Sequence, residues 1–116
     1  MYGMTVAITL NRTSNLLIMF SADAYNDNQN THDYILSRAL VDADPAAPSS
    51  IILTAWISES LGSPYQHHHY LNYMAYSYNF IKLSVPVGKH TVKIQWQVTG
   101  HTGYVSYRTL SVIALP

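Results

Sequence analysis

The sequence predicts an all-β protein, an antiparallel β-sandwich of jelly-roll topology with seven to eight strands. Three observations carry that reading. Apolar residues recur at every second position along most of the chain, which is the period of a half-buried strand. Short clusters of Gly, Pro, Asn and Asp punctuate these runs at intervals. No segment carries a helical stripe of useful length, and short strands with nothing helical between them read as a sandwich.

In MTVAITL, Met4, Val6, Ile8 and Leu10 take one face while Thr5, Ala7 and Thr9 take the other. NRTSN (Asn11–Asn15) is a turn cluster, and LLIMF (Leu16–Phe20) reads as a short strand buried on both faces. The stretch Asp23–Asp33, DAYNDNQNTHD, is expected to be a polar loop. YILSRALV (Tyr34–Val41) is a third strand, closed by the turn DADPAAP. SIILTAWIS (Ser50–Ser58) is a fourth, rich in β-branched residues.

A loop from Glu59 to about His69 follows, punctuated by Gly62 and Pro64. Tyr70–Val85 reads as one long bent strand or two short ones, with a bulge expected near Tyr76–Tyr78 where the apolar face changes. PVGKH is a turn in which Gly88 is free to take positive φ. HTVKIQWQV (His90–Val98) shows the clearest alternation: Val92, Ile94, Trp96 and Val98 point one way, Thr91, Lys93, Gln95 and Gln97 the other. TGHTG is a hairpin loop, and Tyr104–Leu115 is the last strand.

With 116 residues, the chain is expected to form a single domain, 1–116. There is no cysteine, so neither disulfides nor thiolate metal chemistry arise, which fits a reducing compartment or assembly inside a cell. Six Lys and Arg balance six Asp and Glu without any basic run, so nucleic acid is not an expected partner. No window approaches the roughly 18 apolar residues of a membrane span, and no targeting segment is visible. Only 10% of residues are charged, a solubility risk for a free monomer that burial against other subunits would relieve. The ten tyrosines suit such interfaces.

The stretch SPYQHHHYLNYMAYSY (Ser63–Tyr78) holds the densest chemistry. Zinc needs imidazoles converging from one side, and in extended chain His67 and His69 share a side while His68 does not. With no Cys and Glu59 the single glutamate, a metal site within one subunit is poorly supplied, and no cofactor is expected. One histidine from each of three subunits around an axis is the symmetric variant. Tyr76 and Tyr78 are co-facial with Met74 and Phe80, a face more typical of a core or a subunit interface than of an open sugar platform. A carbohydrate-binding or adhesion module using the Tyr65–Tyr78 face is the alternative reading. The Asp23–Asp33 loop has oxygen ligands suited to calcium but lacks the glycine and distal glutamate of an EF-hand. No phosphate loop, nucleophile elbow or HExxH is present, so no enzymatic activity is expected.

From Gly88 the chain reads GKHTVKIQWQVTGHTGYVSYRTLSVIALP, and SNLLIMFSADA (Ser14–Ala24) and RALVDAD (Arg38–Asp44) precede it. This resembles the tumour-necrosis-factor and complement-head-like jelly rolls of phage and bacterial structural proteins. There a G-x-H-T-V turn opens a strand with a buried Trp, and R-x-L-x-V-I lies near the terminus. The resemblance implies a homotrimer packed around a threefold axis. Unlike stalked fibre-tip members, this sequence shows no coiled-coil or collagen-like stem, so a free-standing trimeric cap is expected. A capsid decoration (cement) protein, located in the virion and assembled in the host cytoplasm, meets that description, with the capsid lattice as partner. The residues expected at the trimer contact are Tyr73, Tyr76, Tyr78, Phe80 and Tyr107, with Trp96 and Trp56 as core anchors. Candidate ligand or lattice contacts are Tyr65, His68, Tyr70, Asp23 and Asp27.

Overall fold

The computed structural model describes residues 2–26, 34–55, 74–98 and 103–116. The chain folds as a β-sandwich: two antiparallel sheets packed face to face, with no helix among the described residues. Its strands are β1 (Tyr2–Leu10), β2 (Ser14–Asn26), β3 (Tyr34–Val41), β4 (Asp44–Pro45), β5 (Ile51–Ala55), β6 (Met74–Val85), β7 (Gly88–Val98) and β8 (Gly103–Leu115). One sheet runs β1-β7-β3-β4 with β5 also on β3; the other runs β6-β2-β8.

The connections are nested. β1 pairs β7 over its whole length, from Tyr2↔Trp96 to Leu10↔Gly88. β2, which follows β1, pairs β6, which precedes β7, from Ala24↔Met74 to Ser14↔Val85. The chain therefore crosses between sheets at the Asn11–Thr13 turn and at Pro86–Val87, side by side at one end of the sandwich. The other ends of β2, β3, β5, β6, β7 and β8 meet at the opposite end, as the pairs Asn26↔Gly103, Tyr34↔Ala55 and Ile35↔Val98 require.

Alternation places the core as expected. Leu10, Val92, Ile94 and Trp96 are buried from the larger sheet, with Ile35, Ser37, Ala39 and Val41 of β3 beside them. Leu16, Ile18, Phe20, Ala22, Ala24 and Phe80 face them from the smaller sheet. The Phe20 and Trp96 rings stack across the interface at 6.0 Å between centroids and 14° between planes. At that distance the aromatic pair adds about 0.5–1.5 kcal/mol beyond its burial. Arg108 lays its guanidinium over Trp96 at 5.3 Å, so a cation covers the indole ring.

Three expectations about elements are corrected. β2 does not stop at Phe20 but runs on to Asn26, so Asp23 is a strand residue paired with Ala75 and Ser106 rather than a loop residue. Leu17 and Met19 are half-buried, so β2 is buried on one face instead of both. The register between β2 and β6 is continuous through Tyr76–Tyr78; the irregularity lies between Ser14 and Leu16, where Ser84 takes φ 54°. There Asn15 Oδ1 accepts the Ser84 N–H at 2.9 Å, satisfying a donor that the ladder leaves out. A second bulge is on β8, where the register to β2 shifts between Ser21 and Asp23 and Tyr107 adopts φ 49°.

Candidate functional site

The outer faces of the two sheets differ in kind. On the larger sheet, Thr5, Thr9, Lys89, Thr91, Lys93, Gln95 and Arg38 alternate with the core residues, and Arg38 Nε donates to Gln95 Oε1 at 2.9 Å. This is a largely polar, solvated face, with Ile52 (56% exposed) beside Leu36 as its apolar exception. On the smaller sheet, cross-strand pairing sets Ile81, Leu17 and Ile113 in one row on the outside. Met19 sits two residues along from Leu17, and Leu83 beyond Ile81 is 65% exposed. Asn79, Ser77, Ser111 and Thr109 complete the face, and Asp23 at its far end is the one charged side chain that strand alternation puts there among the described residues. Such an apolar, nearly uncharged sheet face is what buried interface cores look like.

Tyr107 adds a second feature. Its backbone is left-handed at φ 49°, unusual for a bulky residue, and its side chain is 87% exposed. Strain of this kind, of order 1–3 kcal/mol, survives only where the fold imposes it, and bulges commonly re-aim a side chain. Here the bulge points an aromatic ring outward from β8, which among the described residues pairs only with β2.

The tyrosine face of β6 is placed differently from expectation. Tyr76 pairs with Ala22, Tyr78 with Phe20 and Phe80 with Ile18, so the three side chains leave the strand on the core side, but Tyr78 stays 39% exposed. Phe80 is fully buried inside the chain, so it is a core residue and not a trimer contact. Tyr76 packs against the core, and Tyr78 leans on Phe80 at 5.3 Å between centroids. Of the described tyrosines of the expected sugar-stacking face, Tyr76 thus packs on the core and Tyr78 remains exposed. Ala75, Ser77, Asn79, Ile81 and Leu83 are the residues β6 offers to the outside. Alternation fixes which residues of β6 share a face but not which face turns in, because both faces carry large side chains.

Tyr65, His67, His68, His69, Tyr70, Tyr73, Trp56 and Asp27 lie outside the described residues. Among the described residues no group of three His, Cys, Asp or Glu could hold a metal ion.

At the crossover end a polar cluster forms that sequence reading did not pick out. His90 Nδ1 faces Asp42 Oδ2 at 2.5 Å, and His90 Nε2 faces the carbonyl oxygen of Pro86 at 2.6 Å. The other oxygen, Asp42 Oδ1, accepts the Thr91 N–H at 2.8 Å, and the Asp42 N–H donates to Thr91 O at 2.9 Å. The hydrogen bond to His90, then that from Thr91, holds the Asp42 carboxyl below its ordinary range. The bonds to Asp42 and then Pro86 raise the His90 imidazole above its ordinary value. Ser84 lines the same hollow, but both ring nitrogens of His90 are already engaged, which leaves no free lone pair to take a proton from a hydroxyl.

No family model, curated protein or solved structure matches this chain.

Proposed function

We propose that the chain is a subunit of a homotrimeric structural protein of jelly-roll type, serving as a capsid decoration (cement) protein on a phage capsid lattice. The observation that supports this reading best is the outer face of the β6-β2-β8 sheet, with its Ile81–Leu17–Ile113 row and its near absence of charge. Contiguous apolar faces on soluble proteins mark contact surfaces. Threefold symmetry repeats each weak contact, and a trimer that spans several lattice subunits gains affinity through effective concentration. The contact set on this reading is Leu17, Met19, Ile81 and Ile113, with the exposed Tyr107 and Tyr78 at the rim, in place of the core-packed Tyr76 and Phe80.

Light scattering on the purified chain is expected to give three times the 13.0 kDa chain mass. Ile113→Glu should reduce that to the single-chain mass while the β-sheet circular dichroism persists. A wild-type mass of one chain at micromolar concentration would sink the trimer. The lattice role is tested separately, by adding the purified protein to capsid shells of its phage stripped of surface proteins. Saturable uptake supports it, and no uptake removes the capsid role while leaving the oligomer standing.

A further inference from the structure

We propose that His90 is a proton-operated latch that ties the Pro86–Val87 corner to the Asp42–Ala43 turn and releases that corner when the imidazole loses its proton. A neutral imidazole has one N–H and one lone pair, whereas the imidazolium has two N–H donors. Both ring nitrogens of His90 face oxygens that can only accept: a carboxylate at 2.5 Å and a backbone carbonyl at 2.6 Å. Only the charged ring satisfies both contacts.

Deprotonation puts a lone pair against one of these oxygens, so one contact must open. The charge-assisted bond to Asp42 is the stronger, so the remaining proton stays on Nδ1 and the Pro86 contact is the one lost. Asp42 favours the closed state, and the other charged groups lining the hollow are of opposite sign to each other. Asp42 and Asp44 face the hollow from the β3–β4 turn and Lys82 from β6, while β1 sets the uncharged Ile8 opposite His90. Lys82 Nζ is itself turned to the carbonyl of Pro45 at 3.3 Å. The side chain of His90 is 8% exposed and that of Asp42 47%, so protons reach the pair through the carboxylate side.

What the latch controls is a corner carrying two exposed apolar side chains, Leu83 and Val87, at 65% and 62%. Closed, the corner is pinned to the larger sheet through His90 and Asp42. Open, it is held by the β1–β7 and β2–β6 ladders on either side and by the Asn15–Ser84 hydrogen bond. The inference holds for an isolated chain and does not depend on the number of subunits.

Nitrogen-detected NMR of the full-length chain tests it, with His90→Gln identifying the His90 signals among the six histidines. Both ring nitrogens should bear protons at pH 6, with a titration midpoint above the ordinary value of about 6.5. The Val87 and Gly88 amide signals should move with the same midpoint. In Asp42→Asn, which keeps an acceptor for Thr91 but removes the charge, the midpoint should fall by about one pH unit. A ring that is neutral at pH 6, a midpoint untouched by Asp42→Asn, or corner amides indifferent to the titration would each overturn the latch. The wild-type titration alone decides the matter if the variant does not fold.

Discussion

Ser37 keeps a hydroxyl in the core, 1% exposed, with no hydrogen-bond partner among the described residues. It lies on the inward face of β3, between Trp96 and Ile51 on the neighbouring strands. A buried, unpaired polar atom costs about 1–3 kcal/mol of desolvation. Ser37→Ala is therefore expected to stabilise the fold by about 1 kcal/mol, seen as a higher urea midpoint at unchanged slope. Ala43 makes a similar case through its backbone. Asp42 and Ala43 both take positive φ, 49° and 75°, as a tight two-residue hairpin loop requires. Aspartate tolerates this conformation, and its carboxylate is held by Thr91 and His90; alanine has no such compensation. The left-handed conformation costs alanine roughly 1–2 kcal/mol, partly offset by glycine's greater freedom when unfolded. Ala43→Gly should raise stability by about 0.5–1 kcal/mol, measured by the same denaturation curves.

Among the elements, β1 shows how closely a strand can be committed to its neighbour. A Cβ on Gly3 would sit 2.6 Å from the Ile94 carbonyl oxygen, backbone that has no room to give. Gly3→Ala is expected to destabilise the protein by about 1–3 kcal/mol and to loosen the N-terminal half of β1 first, visible as faster amide exchange at Met4 and Val6. Alternation made most of this architecture readable. The inward sets of β1 and β7 and the bounds of β3 follow from period two, and the positive φ of Gly88 from its turn. The extent of β2 was not readable, because Asp, Tyr and Asn after Ala22 imitate a loop until β8 pairs with all three and β6 with Asp23. The candidate contact face was hidden for a related reason. Leu17, Met19, Ile81 and Ile113 are ordinary strand hydrophobics until the register aligns them, whereas the tyrosines advertise themselves although Tyr76 packs on the core. The His90–Asp42 cluster joins residues 48 apart, a proximity no local pattern encodes.

For the molecule as a whole, that cluster sets the acid and alkaline limits of its contribution to stability. His90 is raised in the folded state, so its contribution is complete below about 6.5 and is lost as pH climbs through the folded value. Asp42 is lowered, so its contribution is present above 3.8 and is lost as pH falls through its folded value. Thermal unfolding followed from pH 4 to pH 9 should show a plateau between these limits and a decline on the alkaline side. In His90→Gln the alkaline decline should shrink, and a decline that survives unchanged would assign it elsewhere. The body on which this acts is long and narrow, 57 × 20 × 20 Å, as strands of up to 13 residues dictate.

Because Val6 finds its partner at Val92, the opening strand leaves the ribosome long before its mate exists. At about 5–20 residues per second, the intervening synthesis takes roughly 4–17 s. Throughout that interval the Met4–Leu10 segment travels as an unmatched apolar ribbon, so a cell making this polypeptide must shelter that nascent segment or risk losing it to clumping.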